Sequence, residues 1–176
     1  MALKCVRIGD IRQDLHREWW QLYEAAFPLA ERRNLEQHAA AMRDEAFRVL
    51  HLSDESGFVG LLSYWQWDQL VYVEHLAITP SRRGQGMGHC VLALLDDVRA
   101  ILEIEPVVDT VTTRRLAFYE SCGFTKLPQS HMQLAYQAGQ PDVPLWLLSR
   151  PEMDATEVAH FEQLFAAGPM RYRDEA

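Results

Sequence analysis

The amino-acid sequence predicts one domain of mixed α/β (α+β) class, with a mostly antiparallel central sheet flanked by helices. Three strand-like runs joined by short polar turns lie between residues 47 and 78, and this pattern is typical of a β-meander. A glycine-rich loop follows, and then helical and strand-like segments alternate. The chain has 176 residues, which at about 100–200 residues per domain fits a single domain spanning residues 1–176.

The elements before the glycine-rich loop are predicted from periodicity and turn residues. A short strand over residues 5–8 precedes a helix whose apolar residues recur at helical spacing from Leu15 to Ala26. Pro28 ends this helix, and a second helical stretch is expected over residues 31–44. Strands are expected over residues 47–52, 58–67 and 70–78. The third is apolar on both faces, which favours the interior of a sheet; strict alternation places Glu74 with Tyr72 on one face and His75 with Val71 on the other.

The elements after the loop are predicted in the same way. A helix with an apolar stripe is expected from Gly88 through Leu102, followed by a strand over residues 106–110. A helix over residues 112–121 ends at Cys122-Gly123, where glycine suits the left-handed closing position. Late strands are expected over residues 132–136 and 144–149. Asp154 and Glu157 form a variant capping box that opens the last helix.

Composition excludes several classes of partner. Twenty-five acidic residues against 17 basic ones give a net charge of −8, so nucleic acid and anionic membranes are not expected as partners. The sequence has no apolar run of the roughly 20 residues that a bilayer span needs and no signal-peptide core. The three cysteines lack a C-x-x-C pair, which favours a reducing, cytoplasmic location. The histidines show no ligand spacing, so no metal site is predicted.

The segment Arg82-Arg-Gly-Gln-Gly-Met-Gly88 predicts a phosphate or pyrophosphate site. Alternating glycines let main-chain N–H groups point at one place, and the two arginines add positive charge. A Walker loop is excluded because the required Gly-Lys-Ser/Thr is missing. A dinucleotide-binding fingerprint is a weaker alternative, since the glycines are spaced G-x-G-x-G, although Glu105 lies near the position of a ribose-binding acid.

Two blocks carry a resemblance to the GCN5-related N-acetyltransferases. The loop from Arg83 to Gly88 looks like the family's Arg/Gln-x-x-Gly-x-Gly/Ala signature, and Phe118-Tyr119-Glu-Ser-Cys-Gly123-Phe124 resembles its Tyr-x-x-x-Gly-Phe block. The strand over residues 73–78 resembles the family's fourth strand, so the resemblance covers about residues 71–124. Residues 72–78 together with 114–119 look like a little-characterised bacterial branch. Thr112 and Arg115 stand where many members carry Asn-x-x-Ala, so that asparagine contact is not transferred.

The resemblance implies acetyl-CoA as cofactor and an N-acetyltransferase activity. In the family the pyrophosphate lies on the loop amides and the pantetheine arm pairs with the fourth strand. The cofactor-binding positions implied here are Leu76, Ala77, Ile78, Arg83, Gly84, Gln85, Gly86, Met87 and Gly88. The first two helices and the late strands usually form the acceptor pocket.

Two residues are candidates for acid–base chemistry. Tyr119 is predicted to give a proton to the leaving thiolate, since a phenol with a pKa near 10 is protonated at pH 7. Glu74 is the candidate base for the amine, and its alternative is a buried structural partner for an arginine. His75 is expected to satisfy a core hydrogen bond. The sequence offers no credible covalent nucleophile, so direct attack by the amine in a ternary complex is predicted.

Two functions from different classes remain open in the sequence. The first is transfer of acetyl to a primary amine, with a small-molecule acceptor favoured by the acidic balance. The second is a non-catalytic acyl-CoA-binding sensor or scaffold, in which Tyr119 and Glu74 would be dispensable. The sequence leaves the acceptor's identity and the oligomeric state open. The last helix could pack on its own sheet or on a second copy of the chain in a homodimer.

Overall fold

The computed structural model describes residues 2–174, and within them seven strands form one sheet in the order β1-β2-β3-β4-β5-β7-β6. The β4–β5 pair is parallel and the other neighbours are antiparallel. The mixed α/β prediction is therefore confirmed. The strands are β1 Lys4–Arg7, β2 Phe47–Asp54, β3 Gly57–Trp67, β4 Leu70–Ile78, β5 Arg99–Ile104, β6 Thr125–Gln133 and β7 Val143–Arg150; the α-helices are α1 Asp14–Ala26, α2 Leu35–Ala41, α3 Met87–Ala93, α4 Thr110–Ser121 and α5 Ala155–Ala167.

The sheet separates two apolar cores. One lies under α1, α2 and α5 and contains Trp19, Tyr72 and Phe161. The other lies under α3 and α4 and contains Val91 and Leu102. A central sheet covered on both faces explains why β4 is apolar along both sides. Within residues 2–174, no helix is long and apolar enough to cross a membrane.

The second predicted helix is shorter than residues 31–44. The chain makes a 3₁₀ turn over Leu29–Glu31, and α2 then begins after Asn34. The Asn34 side chain accepts from the Gln37 amide, and the Gln37 side chain accepts from the Asn34 amide. This reciprocal cap places the first residue of α2 four positions after the predicted start at residue 31.

A β-bulge in β4 corrects the predicted faces of this strand. Ser63 of β3 pairs with His75 and Tyr64 pairs with Val73, so Glu74 has no opposite residue in β3. An extra residue reverses the alternation that follows it. His75 and Ala77 therefore lie on the Tyr72 side of the sheet, together with Glu74, and the prediction that His75 shares a face with Val71 is wrong.

The region after the glycine-rich loop also departs from the prediction. The helix ends at Ala93, and the apolar residues around Ile101 belong to β5, whereas residues 106–109 connect β5 to α4. β5 lies between β4 and β7, and a strand buried on both faces has the same continuous apolar run as a buried helix. Asp109 caps α4 through the Thr112 amide. β6 likewise begins at Thr125, earlier than predicted.

Candidate active site

The candidate site is a cavity of about 450 Å³ that lies where β4 and β5 separate. The parallel pairing of these strands ends at Val73 opposite Leu102. Beyond this pair β4 continues beside β3, whereas β5 continues beside β7. Residues 73–78 and 102–105 therefore form two walls of one wedge-shaped space.

One edge of β4 faces this cavity. Leu76, Ala77 and Ile78 pair with β3 along their other edge, and they lie beyond the end of the β5 pairing. Gly60 permits the close approach of β3, because a Cβ at this position would overlap the Ala77 carbonyl oxygen. A free strand edge carries N–H and C=O groups with which an extended ligand can pair.

The glycine-rich loop connects the end of β4 to α3, and its Arg83 lines the cavity. Gly84 and Gly86 have φ values of +72° and +77°, which glycine adopts without strain, and no atom lies within 4 Å of a Cβ built at either position. Within residues 2–174, the main-chain N–H groups of residues 84–89 have no acceptor. A run of free donors below open space fits the pyrophosphate of a nucleotide cofactor.

Three neighbouring residues hold the loop in place. The Gln85 side chain donates to the Ser81 carbonyl oxygen at 3.0 Å. Met87 is buried in the core below the loop. Gly88 allows α4 to approach, since a Cβ there would lie 2.8 Å from Cζ of Phe118. These contacts position the loop between β4 and α4.

The two arginines of the loop differ in their availability. Arg82 forms a two-point ion pair with the Asp54 carboxylate at the β2–β3 turn. The Asp54 carboxylate offsets the charge of Arg82, so Arg83 is the loop arginine that is better placed to contact an anion. Arg83 is exposed, and its Nε donates to the Ile78 carbonyl oxygen at 3.0 Å. Its Nη groups can still contact a phosphate.

Tyr119 lies on α4 and lines the same cavity. Its ring packs edge-on against Phe124 and also contacts Phe118. The hydroxyl has no hydrogen-bond partner among the described residues, and burial raises the pKa of Tyr119 to about 12. The phenol is therefore protonated at pH 7 and is free to donate a hydrogen bond into the cavity.

Glu74 is the most completely bonded carboxylate of the site. Its two oxygens accept from Arg33 Nη1 and Nη2 at 2.8 Å each, and Tyr136 donates to Oε1 at 2.6 Å. Burial alone would raise the pKa of Glu74, but Arg33 and His75 outweigh burial and hold the pKa well below its usual range. Arg33 also donates to the Pro169 carbonyl oxygen. This geometry favours the alternative to a catalytic base for Glu74, namely a buried structural partner of an arginine.

His75 is held on both ring nitrogens. Its Nε2 lies 2.8 Å from the Glu31 carbonyl oxygen, which can only accept, so Nε2 carries the proton in this contact. Its Nδ1 lies 3.3 Å from Ser63 Oγ and 3.5 Å from a Glu74 oxygen. The bulge thus connects the cavity wall to the 3₁₀ turn that contains Glu31.

Sequence reasoning singled out neither of two further carboxylates of the cavity, Glu31 and Glu103. Glu103 lies just beyond the last β4–β5 pair and accepts a hydrogen bond from Tyr72 at 2.5 Å. His131 bonds to Glu103 through one ring nitrogen and to Glu162 through the other. Burial would lower the pKa of His131, but these two carboxylates raise it to about 9. In the sequence, the signal that could have indicated Glu103 is an acidic residue within an otherwise apolar run.

The positions that depart from the family pattern serve the start of α4. The Thr112 hydroxyl accepts from the amides of Val108 and Asp109 at 3.0 Å. Arg115 forms an ion pair with Glu105 at the cavity wall. Glu105 is therefore occupied by a cation, which weakens the dinucleotide alternative that needs this carboxylate for a ribose. Among residues 2–174, no cluster of His, Cys, Asp and Glu side chains is arranged to hold a metal ion.

Comparison with known proteins agrees with this geometry. Residues 43–126 match the family model described as "Acetyltransferase (GNAT) domain". The Bacillus subtilis protein named "Putative acetyltransferase YjbC" is 30% identical over 106 residues, which are 58% of this chain and 54% of that protein. The chain therefore matches only about half the length of this curated relative.

Solved structures show the same fold over most of the chain. A Bacteroides thetaiotaomicron protein described as from the GNAT family superposes with a TM-score of 0.81 and 26% identity, covering 94% of this chain and 97% of the other. A Bacillus subtilis acetyltransferase in complex with CoA superposes with a TM-score of 0.56 and 12% identity, covering 84% and 97%. Residues 43–126 are therefore similar to a GNAT acetyltransferase domain, and the fold over most of the chain is similar to that of a GNAT-family structure.

Proposed function

We propose that this protein transfers acetyl from acetyl-CoA to a primary amine of a small molecule by direct attack in a ternary complex. The observation that carries the proposal is the separation of β4 from β5. It brings the free edge of residues 76–78, Arg83 of the glycine-rich loop and Tyr119 around one cavity.

The cofactor would be held mainly by main-chain groups. Free N–H groups of Gly84 through Gly88 would bind the pyrophosphate, with Arg83 supplying one cation. The edge of β4 at Leu76, Ala77 and Ile78 would pair with the pantetheine arm as an added strand. Bound acetyl-CoA would supply an activated acetyl thioester.

The residues around the thioester would have separate tasks. Unpaired N–H groups of β4 beyond the bulge can stabilise negative charge on the acetyl oxygen. The Tyr119 hydroxyl donates a proton to the departing sulfur, whose conjugate thiol has a pKa near 8.5. Glu74 acts here as a positioning residue, because its lone pairs are occupied by Arg33 and Tyr136.

The test is thiol release from acetyl-CoA across a panel of small amines and short peptides, corrected for the protein's own three cysteines. We expect Tyr119→Phe to lower kcat by about 10–1000-fold while leaving acetyl-CoA binding unchanged. Tyr64→Phe is the matched control, because Tyr64 lies on β3 away from the cavity.

A wild-type rate in Tyr119→Phe would contradict the role given to this hydroxyl. Acetyl-CoA binding without amine-dependent thiol release by the wild-type protein would support the acyl-CoA-binding module instead. An acetyl-enzyme that forms and decays at the turnover rate would contradict direct attack.

A further inference from the structure

Four carboxyl groups line the cavity, and they differ in how many partners they have. Glu74 is bonded to Arg33 and Tyr136, and Glu105 is paired with Arg115. Glu103 accepts from Tyr72 and from His131. The carboxylate of Glu31 has no hydrogen bond or ion pair within residues 2–174, so its lone pairs are available to a ligand.

The surroundings of Glu31 favour the uptake of a proton. Burial raises the pKa of its carboxyl group; His75 and Arg115 lower the pKa and Glu103 raises it, and the net change is upward. A carboxylate with a raised pKa is a stronger base than an exposed one.

The main chain of Glu31 is held in a fixed position. Its carbonyl oxygen accepts from His75 Nε2 at 2.8 Å. Two residues later, the Arg33 amide donates to the Tyr23 hydroxyl at 2.8 Å, inside the core. The 3₁₀ turn that presents Glu31 is therefore tied to β4 and to α1, the elements that form its side of the cavity.

We propose that Glu31 binds the acceptor as an alkylammonium ion and accepts its proton, so that the substrate class is a cationic aliphatic amine. This inference rests on the proposed function. Glu31 takes over the role that the sequence suggested for Glu74, since it is the cavity carboxylate that keeps its lone pairs free. Phe27 and Leu145, which also line the cavity, would contact the alkyl part of such an acceptor.

The proton balance of the step follows from this assignment. The ammonium gives one proton to the Glu31 carboxylate, and the nitrogen lone pair forms the C–N bond at the acetyl carbon. The C–S bond breaks, and the sulfur takes the proton of the Tyr119 hydroxyl. The nitrogen then loses its second proton, which restores Tyr119, and Glu31 returns its proton to solvent. Each turnover releases one proton, one thiol and one amide.

The kinetic test compares two classes of amine with acetyl-CoA at pH 7. n-Butylamine is protonated at this pH, as expected for an alkylamine with a pKa near that of lysine, whereas 4-methoxyaniline is already a free base. We expect Glu31→Gln to lower kcat/KM for n-butylamine by about 100-fold and to change kcat/KM for 4-methoxyaniline by less than about threefold. Glu36→Gln is the control, since it removes the same charge from an exposed position on α2.

A second measurement requires no turnover. Carboxyl ¹³C NMR of the wild-type protein should give Glu31 a pKa above the ordinary glutamate value of about 4.3, and n-butylammonium should shift its resonance in the presence of CoA. Equal losses for both amines in Glu31→Gln, or a Glu31 pKa at or below the ordinary value, would overturn the inference while leaving the acetyltransferase intact. Failure of the wild-type protein to release thiol with any amine would instead overturn the proposed function.

Discussion

Replacement of Arg33 by methionine tests how much the buried ion pair with Glu74 contributes to the free energy of unfolding. This pair lies on the side of the sheet that α1, α2 and α5 cover. Both side chains are almost completely buried, with exposed fractions of 0% and 1%. Methionine keeps a long apolar stem but removes two hydrogen bonds to Glu74 and one to the Pro169 carbonyl oxygen. It also removes the guanidinium that lies 4.5 Å from the centre of the Tyr136 ring.

The expected cost is large because the substitution leaves a buried carboxylate without its cation. Breaking one side of a buried pair costs about 3–5 kcal/mol, and each kcal/mol lowers the Tm of a domain of this size by about 2–4 °C. We therefore expect Arg33→Met to lower the Tm by about 6–20 °C. The double variant Arg33→Met/Glu74→Gln should recover much of this loss, because the introduced glutamine amide would still accept from Tyr136 and no charge would remain buried.

The dependence on pH gives an independent check. In the wild-type protein the pKa of Glu74 is lowered, so its contribution to stability is present above about pH 4.3 and is lost as the pH falls through the lowered pKa. In Arg33→Met burial should raise the pKa of Glu74 instead. The penalty should then shrink as the pH falls from 7 towards 5, because the carboxyl group becomes neutral.

The assay is urea denaturation of the four proteins of the double-mutant cycle at pH 5 and pH 7. Two results would refute the reasoning: a loss below about 1 kcal/mol in Arg33→Met, or additive losses in the double variant. Either result would show that the pair does not contribute to stability as a buried unit.

Two further predictions concern the sheet. Gly60→Ala should cost about 1–3 kcal/mol and weaken acetyl-CoA binding, because the new Cβ meets the Ala77 main-chain oxygen and pushes β3 from β4; Gly9→Ala, which meets no atom within 4 Å, is the control in urea denaturation, and equal stabilities would contradict the prediction. Because the pKa of His131 is raised to about 9, its stabilising contribution should be present below about pH 6.5 and lost as the pH rises through 9, by about 3 kcal/mol. Glu162→Gln should reduce this loss in thermal melts from pH 6 to 10, and an unchanged slope would count against the His131 contacts.

Local sequence determined much of the fold. The meander from Phe47 to Ile78 follows from turn residues and alternation, and the predicted cap at Asp154 lies at the observed start of α5. The glycines of the loop also indicate its backbone, because Gly84 and Gly86 adopt conformations that few other residues tolerate. These features depend on residues within a few positions of one another, and such signals are present in the sequence itself.

Tertiary structure decided the partners of the charged residues. Glu74 and Arg33 are 41 positions apart, and only the folded sheet shows that they neutralise each other. The bulge at Glu74 and the assignment of residues 99–104 to a strand also depend on neighbouring strands, since an apolar run has the same pattern in a buried helix and a buried strand. The sequence gives no indication of a role for Glu31. Its carboxylate differs from those of the other cavity glutamates only because the folded chain supplies hydrogen-bond or ion-pair partners to the others.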